Sequence, residues 1–78
     1  MPAPSQPVDA ALAAVLRRFR EARGLSQEAT AQAAGVSLNT YSRIELALAS
    51  PTWPTVRQIA DALGVSMADL GAAVDAER

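Results

Sequence analysis

The sequence has no cysteine, no histidine and no lysine. Without cysteine it can form neither a disulfide nor a thiolate metal site. Without histidine it also lacks the commonest general base and metal ligand. Its serines sit where helix caps or exposed helix faces are expected, with no candidate base at a predictable distance. Aromatic residues are few: only Phe19, Tyr41 and Trp53. No apolar run approaches the roughly 18 residues needed to cross a membrane. No glycine-rich phosphate loop and no metal-ligand spacing occur. An enzyme, a cofactor, a metal, a small-molecule ligand and a membrane partner are therefore not expected.

What fills the chain is alanine. Hydrophobic residues make up 50% of the 78 positions, and a composition rich in alanine and poor in β-branched residues favours helix throughout. A chain of this size forms one domain. Folding buries only about 60–65% of its surface, so a second subunit would add useful stability. The first seven residues, MPAPSQP, hold three prolines and little that could pack. They are expected to form a flexible arm, with no basic or apolar run to mark a signal peptide. Residues 8–78 form the domain, and the expected location is the cytoplasm.

Turn signals divide the domain into five helical segments. The first runs from about Asp9, its cap, to Arg23, with Gly24 as the stop. Leu12, Val15, Leu16 and Phe19 recur at helical spacing and form one buried stripe. The second runs from Gln27 to Ala34 between the cap Ser26 and Gly35. The third starts at the cap Ser37 and reaches about Leu46. Thr52 caps the fourth, with Trp53 and Pro54 in its first turn and Val56, Ile59, Ala60 and Leu63 facing inward. Gly64 ends it. Ser66 caps the fifth, followed three residues later by Asp69 in a variant of the capping box. This segment carries Met67, Leu70 and Val74. The fold class is all-α, with five helices.

The third segment raises a functional question. On a helical wheel Ser37, Thr40, Tyr41, Ile44 and Glu45 share one half, which faces the core because it holds the tyrosine and isoleucine. Leu38, Asn39, Ser42, Arg43 and Leu46 share the other. Asparagine, serine and arginine carry the donors and acceptors that pair with base edges in the major groove, and leucine can meet a thymine methyl. Taken alone, this face also reads as an ordinary solvated surface. Its setting separates the two readings. Two helices joined by a short turn containing glycine are the mark of a helix-turn-helix.

Residues 16–66 resemble the phage-repressor/Cro-like, or XRE, helix-turn-helix family. The matching elements are R…GLSQ at Arg20–Gln27, A…AGVS at Ala31–Ser37, SRIE at Ser42–Glu45, Pro51, and IADALGVS at Ile59–Ser66. The resemblance implies a lambda-repressor-like domain of five helices and a homodimer on double-stranded DNA. It implies that Arg20 and Glu45 form a structural ion pair between the first and third helices. Leu38, Asn39 and Arg43 match the base-reading positions, with Ser42 assisting. Gln27 matches a residue that contacts phosphate and braces the third helix. Ser26, Ser37, Thr40 and Thr52 lie near helix N-termini, where phosphate is favoured. Capping alone is sufficient reason for Ser26, Ser37 and Thr52.

The resemblance further places Trp53 in the core, under the first helix, with an interface as the alternative. Family members pair through their C-terminal helices, which points to Met67, Ala73 and Val74 as the dimer interface, with Leu70 reserved for the core and the protomer's own core as the alternative place for Val74. Three positions depart from the family pattern. Thr30 replaces a leucine, and its hydroxyl is expected to bond back to the carbonyl of Ser26. Ala47 replaces a glycine, so the third helix is expected to continue or to end differently. Leu38 replaces a polar residue, which reduces hydrogen-bond readout there.

Charge is consistent with DNA once it is located. Residues 16–43 hold five arginines against two glutamates, a net of +3. Residues 44–78 hold two arginines against five acids, a net of −3, and Asp9 completes the overall −1. The reading half is basic and the rest acidic. Few phosphates can be neutralised, so nonspecific affinity should be modest. The expected function is a sequence-specific transcription regulator, a repressor or controller. The alternative is an antitoxin or adaptor whose fold binds a partner protein.

Overall fold

Each helix begins at a short polar side chain whose oxygen takes an otherwise unpaired backbone N–H. The structure, a computed structural model, describes residues 9–77; the arm expected at residues 1–7 lies outside them. Among the described residues the helices are α1 (Ala10–Ala22), α2 (Gln27–Ala34), α3 (Leu38–Glu45), α4 (Trp53–Leu63) and α5 (Met67–Glu77). Asp9 accepts from Leu12 N, Ser26 from Ala29 N, Ser37 from Thr40 N, Thr52 from Thr55 N and Ser66 from Asp69 N, all at 2.9–3.3 Å. These are the five caps expected from the sequence, and each such bond contributes about 1 kcal/mol. The expected all-α class holds, with no strand among the described residues.

The helices also end alike. After α1 to α4 the chain turns through one residue of positive φ, at Gly24, Gly35, Ala47 and Gly64. In each case the next N–H reaches back five residues, as from Leu48 N to Arg43 O at 2.8 Å. This is the Schellman closure, which satisfies carbonyls left free at a helix end. Ala47 corrects an expectation. Alanine was to make the third helix continue or end differently, yet it adopts φ 58° and closes the same motif that Gly35 closes at φ 75°. Its own N–H bonds Ile44 O at 3.1 Å. The two backbone bonds hold the alanine in a conformation that its Cβ disfavours by about 1–2 kcal/mol.

The core lies where α1 meets α3 and α5, and α2 meets α4. It is built from Val15 and Leu16, Ala31 and Ala34 of α2, Tyr41 and Ile44, the predicted stripe of α4, and Leu70 with Val74. Leu12 and Phe19, the ends of the first stripe, are only half-buried. Thr30 is fully buried, and its hydroxyl donates to Ser26 O at 2.9 Å as expected.

Two apolar residues sit elsewhere than expected. Trp53, placed in the core from the family position, is 66% exposed. It is the first residue of α4, and helical side chains tilt toward the N-terminus, so its ring projects beyond the layer that α1 covers. Val74, assigned to a partner, is only 9% exposed and belongs to the protomer's own core. One turn beyond Leu70, it still lies over the α1 contact, because α5 packs along α1. An aspartate at position 74 would therefore unfold the protomer rather than separate a dimer.

Candidate nucleic-acid interface

Gly35, Val36 and Ser37 form the turn between α2 and α3. Left-handed Gly35 reverses the chain, and extended Ser37 then caps α3. Tyr41, Ile44 and Glu45 turn inward. Leu38, Asn39, Arg43 and Leu46 stand exposed, and Ser42 is half-buried. The inner and outer halves of the wheel are thus confirmed from Tyr41 onward. Ser37 and Thr40 lie at the open end of the helix and are exposed, joined by a hydroxyl–hydroxyl bond of 2.9 Å.

Behind that face runs a polar network. Arg20 Nε and Nη2 donate to the two oxygens of Glu45 at 2.6 and 3.1 Å. Arg20 Nη1 donates to Leu25 O at 2.8 Å, so the guanidinium also fixes the turn into α2. The two side chains are 13% and 2% exposed. Gln27 Nε2 donates to Glu45 Oε1 at 3.1 Å. The other end of the same amide, Gln27 Oε1, accepts from Ser42 Oγ at 2.7 Å. One chain of bonds therefore joins α1, the start of α2 and both ends of the α3 brace. Planar, two-pronged pairing of this kind sets orientation as well as distance.

Burial alone would raise the Glu45 pKa. The donors of Arg20 and Gln27 and the neighbouring Tyr41 phenol outweigh it and hold the carboxyl below its ordinary value. Tyr41 is pushed up, first by burial and then by the adjacent carboxylate. Its hydroxyl is buried beside Glu45 but meets no partner at hydrogen-bond distance and angle.

The residues expected at phosphate lie at three helix starts. Ser26 and Gln27 open α2, Ser37 and Thr40 open α3, and Thr52 opens α4. Thr52 Oγ1 donates to Thr55 Oγ1 at 3.0 Å and caps the helix. The arginines of the basic half are mostly engaged within the protein. Arg17 pairs with Glu21 at 3.4 Å, Arg18 with Glu77 at 2.7 Å, and Arg20 with Glu45. Arg23 lies over the Phe19 ring and reaches Gly64 O at 3.4 Å. Arg43 makes no such contact among the described residues. The net positive charge of this half is thus real, but much of it is answered locally.

The family described as "Helix-turn-helix domain" matches residues 11–73. The chain belongs to the helix-turn-helix domain family. The resemblance seen in the sequence therefore stands. Solved structures agree. The chain is similar to the clp gene regulator ClgR from Corynebacterium glutamicum, with 29% identity and a TM-score of 0.84 over 97% of each chain. It is also similar to an HTH_3 family transcriptional regulator from Vibrio cholerae, with 38% identity and a TM-score of 0.77 over 83% of this chain but 36% of that one. The restriction-modification controller protein C.Esp1396I shares the fold, with a TM-score of 0.85 over 90% of each chain at 21% identity. That controller has been solved as a tetramer in complex with its natural 35-base-pair operator. No curated protein matches.

Within this helix-turn-helix, the sequence reading missed one pairing, that of Ser42 with Gln27. Ser42 was expected at DNA only, whereas Gln27 was also expected to brace the third helix, which its bonds to Glu45 and Ser42 do. The signal was placement: at about 100° per residue Ser42 falls about 60° from the inward Glu45, toward the buried side of the helix. Of the residues assigned to a dimer, Met67 and Ala73 are half-buried against the core, and Val74 is inside it.

Proposed function

We propose that this protein is a sequence-specific DNA-binding transcription regulator, a repressor or controller, that works as a homodimer with α3 in the major groove. One arrangement supports the reading. Leu38, Asn39 and Arg43 stand free on the outer face of α3, while Arg20, Glu45, Gln27 and Ser42 clamp the helix from behind. A base-reading helix must be held rigidly, because a small tilt misplaces every contact at once.

The chemistry of the three side chains assigns their targets. Arg43 offers two donors to guanine O6 and N7. Asn39 can pair with adenine N6 and N7, and Leu38 with a thymine methyl. Ser42 acts as a positioning residue, since its hydroxyl is taken by Gln27. Ser26, Gln27, Ser37, Thr40 and Thr52 bring the N–H ends of α2, α3 and α4 to the phosphates, where anions are favoured. Two-fold pairing places the two copies of α3 roughly 34 Å apart, one turn of DNA. Among the described residues no helix is long and apolar enough to cross a membrane. The regulator is cytoplasmic, associates with the nucleoid when bound, and is not an enzyme.

The proteins it resembles are regulators or controllers by name. No observation favours an antitoxin or adaptor. Selection of bound duplexes from a random pool tests the reading. The expected product is a pseudo-palindrome with half-sites one turn apart. A pool that never enriches would overturn it.

A further inference from the structure

Among the described residues four large apolar side chains are exposed, and Leu38, Leu46 and Leu48 are three of them. A single exposed leucine is ordinary. Leu46 differs because of where the helix holds it. It follows the last residue of α3, and its N–H donates to Ser42 O at 3.0 Å, so it keeps the helical register. At about 100° per residue it falls about 20° from Asn39 and about 60° from Arg43. Being 63% exposed, it continues the face of Asn39 and Arg43 by a further turn. Left-handed Ala47 then ends the helix and takes Leu48 off that line.

The outer face of α3 therefore carries a leucine at each end, with the Asn39 amide and the Arg43 guanidinium between them. Leucine has nothing to donate or accept. Set against a phosphate, it would strip water from a charge and return no hydrogen bond. Within the major groove the apolar feature of a base edge is a pyrimidine C5-methyl, which thymine carries. A methylated cytosine carries the same group at the same place. Eight residues separate Leu38 from Leu46, about 12 Å along the helix axis. That is about three to four base pairs at roughly 3.4 Å each.

We propose that Leu46 is a second methyl-reading residue, packing on a pyrimidine C5-methyl about three to four base pairs from the one met by Leu38. Each half-site is then read as methyl, polar edge, methyl. The contact rests on the DNA reading above and adds to it a residue at the far end of α3.

The full-length protein and the operator selected from the random pool test it. Each thymine of one half-site is replaced in turn by uracil, which removes the methyl and leaves every hydrogen-bonding group in place. Wild type should lose about fourfold in affinity at each of two positions, as burial of one methyl group predicts. Leu46→Ala should bind thymine and uracil alike at one of these positions and still prefer thymine at the other. Leu38→Ala should do the reverse. At the Leu46 position, cytosine and 5-methylcytosine then separate the two sources of the methyl. A preference for 5-methylcytosine that Leu46→Ala loses extends the contact to methylated DNA, and its absence confines the contact to thymine.

A role in ending α3 alone would lower the melting temperature of Leu46→Ala and weaken all duplexes equally. An unmoved thymine-to-uracil ratio in that variant overturns the proposal. Were Leu46→Ala also to change the sedimentation of the free protein with that ratio unmoved, the leucine would belong to a protein contact instead. If an operator is selected but the ratio does not move, this contact falls and the DNA reading stands. If no duplex is selected, both fall.

Discussion

Ser42 on α3 donates its hydroxyl to Gln27 Oε1 on the preceding helix at 2.7 Å. The two halves of the helix-turn-helix are thereby joined at the side chain that would otherwise be free to read a base. Ser42→Ala should weaken binding to the selected operator and to its single-base variants by similar factors, because the helix loosens as a whole. Loss of preference at one base pair only would show that Ser42 reads directly.

Asn39 and Arg43 should behave in the opposite way. Replacing either with alanine should relax preference at a particular base pair by about 1–3 kcal/mol. Competition binding across a set of single-base variants of the operator checks this. Full discrimination retained by both variants would remove α3 from the role of reader.

The Arg20–Glu45 pair is bidentate and nearly buried. Removing one partner leaves an unmatched charge, at a cost of about 3–5 kcal/mol. Arg20→Ala and Glu45→Ala should each lower the melting temperature steeply, with the double variant losing less than the two combined. Strictly additive losses in thermal unfolding would mean that the pair contributes no coupling.

The same carboxyl sets the acid limit. The Glu45 pKa is lowered in the folded state, so its contribution is present above the unfolded carboxyl value of about 4.3. It is lost as pH falls through the folded value. Tyr41 is raised, so its contribution is present below the unfolded phenol value of about 10 and is lost as pH rises beyond that. Stability should therefore be level from about pH 5 to 9 as far as these two groups are concerned. Denaturant midpoints measured at several pH values test this. Glu45→Gln should flatten the acid limb.

Ala47 holds a left-handed conformation that glycine adopts freely. Ala47→Gly should stabilise the protein by about 1 kcal/mol, or roughly 4–8 °C in melting temperature. Calorimetry decides it. A fall in melting temperature would mean that the alanine methyl packs usefully against its surroundings.

Local chemistry by itself determined the helices and their polarity. The caps at Asp9, Ser26, Ser37, Thr52 and Ser66, and the glycines after α1, α2 and α4, act within four or five residues of where they stand. The inner face of α3 follows from spacing alone. The Arg20–Glu45 pair was reachable only through the family resemblance, because the two residues lie 25 positions apart. Tertiary structure decided the rest. It put Ala47 into a glycine's conformation, because two backbone bonds outweigh the cost of its Cβ. It turned Ser42 toward Gln27, because the turn brings α2 and α3 within reach of a single amide. It buried Val74 and left Trp53 outside, because burial depends on which helix lies across a residue, and periodicity along one helix carries no record of where its neighbours end.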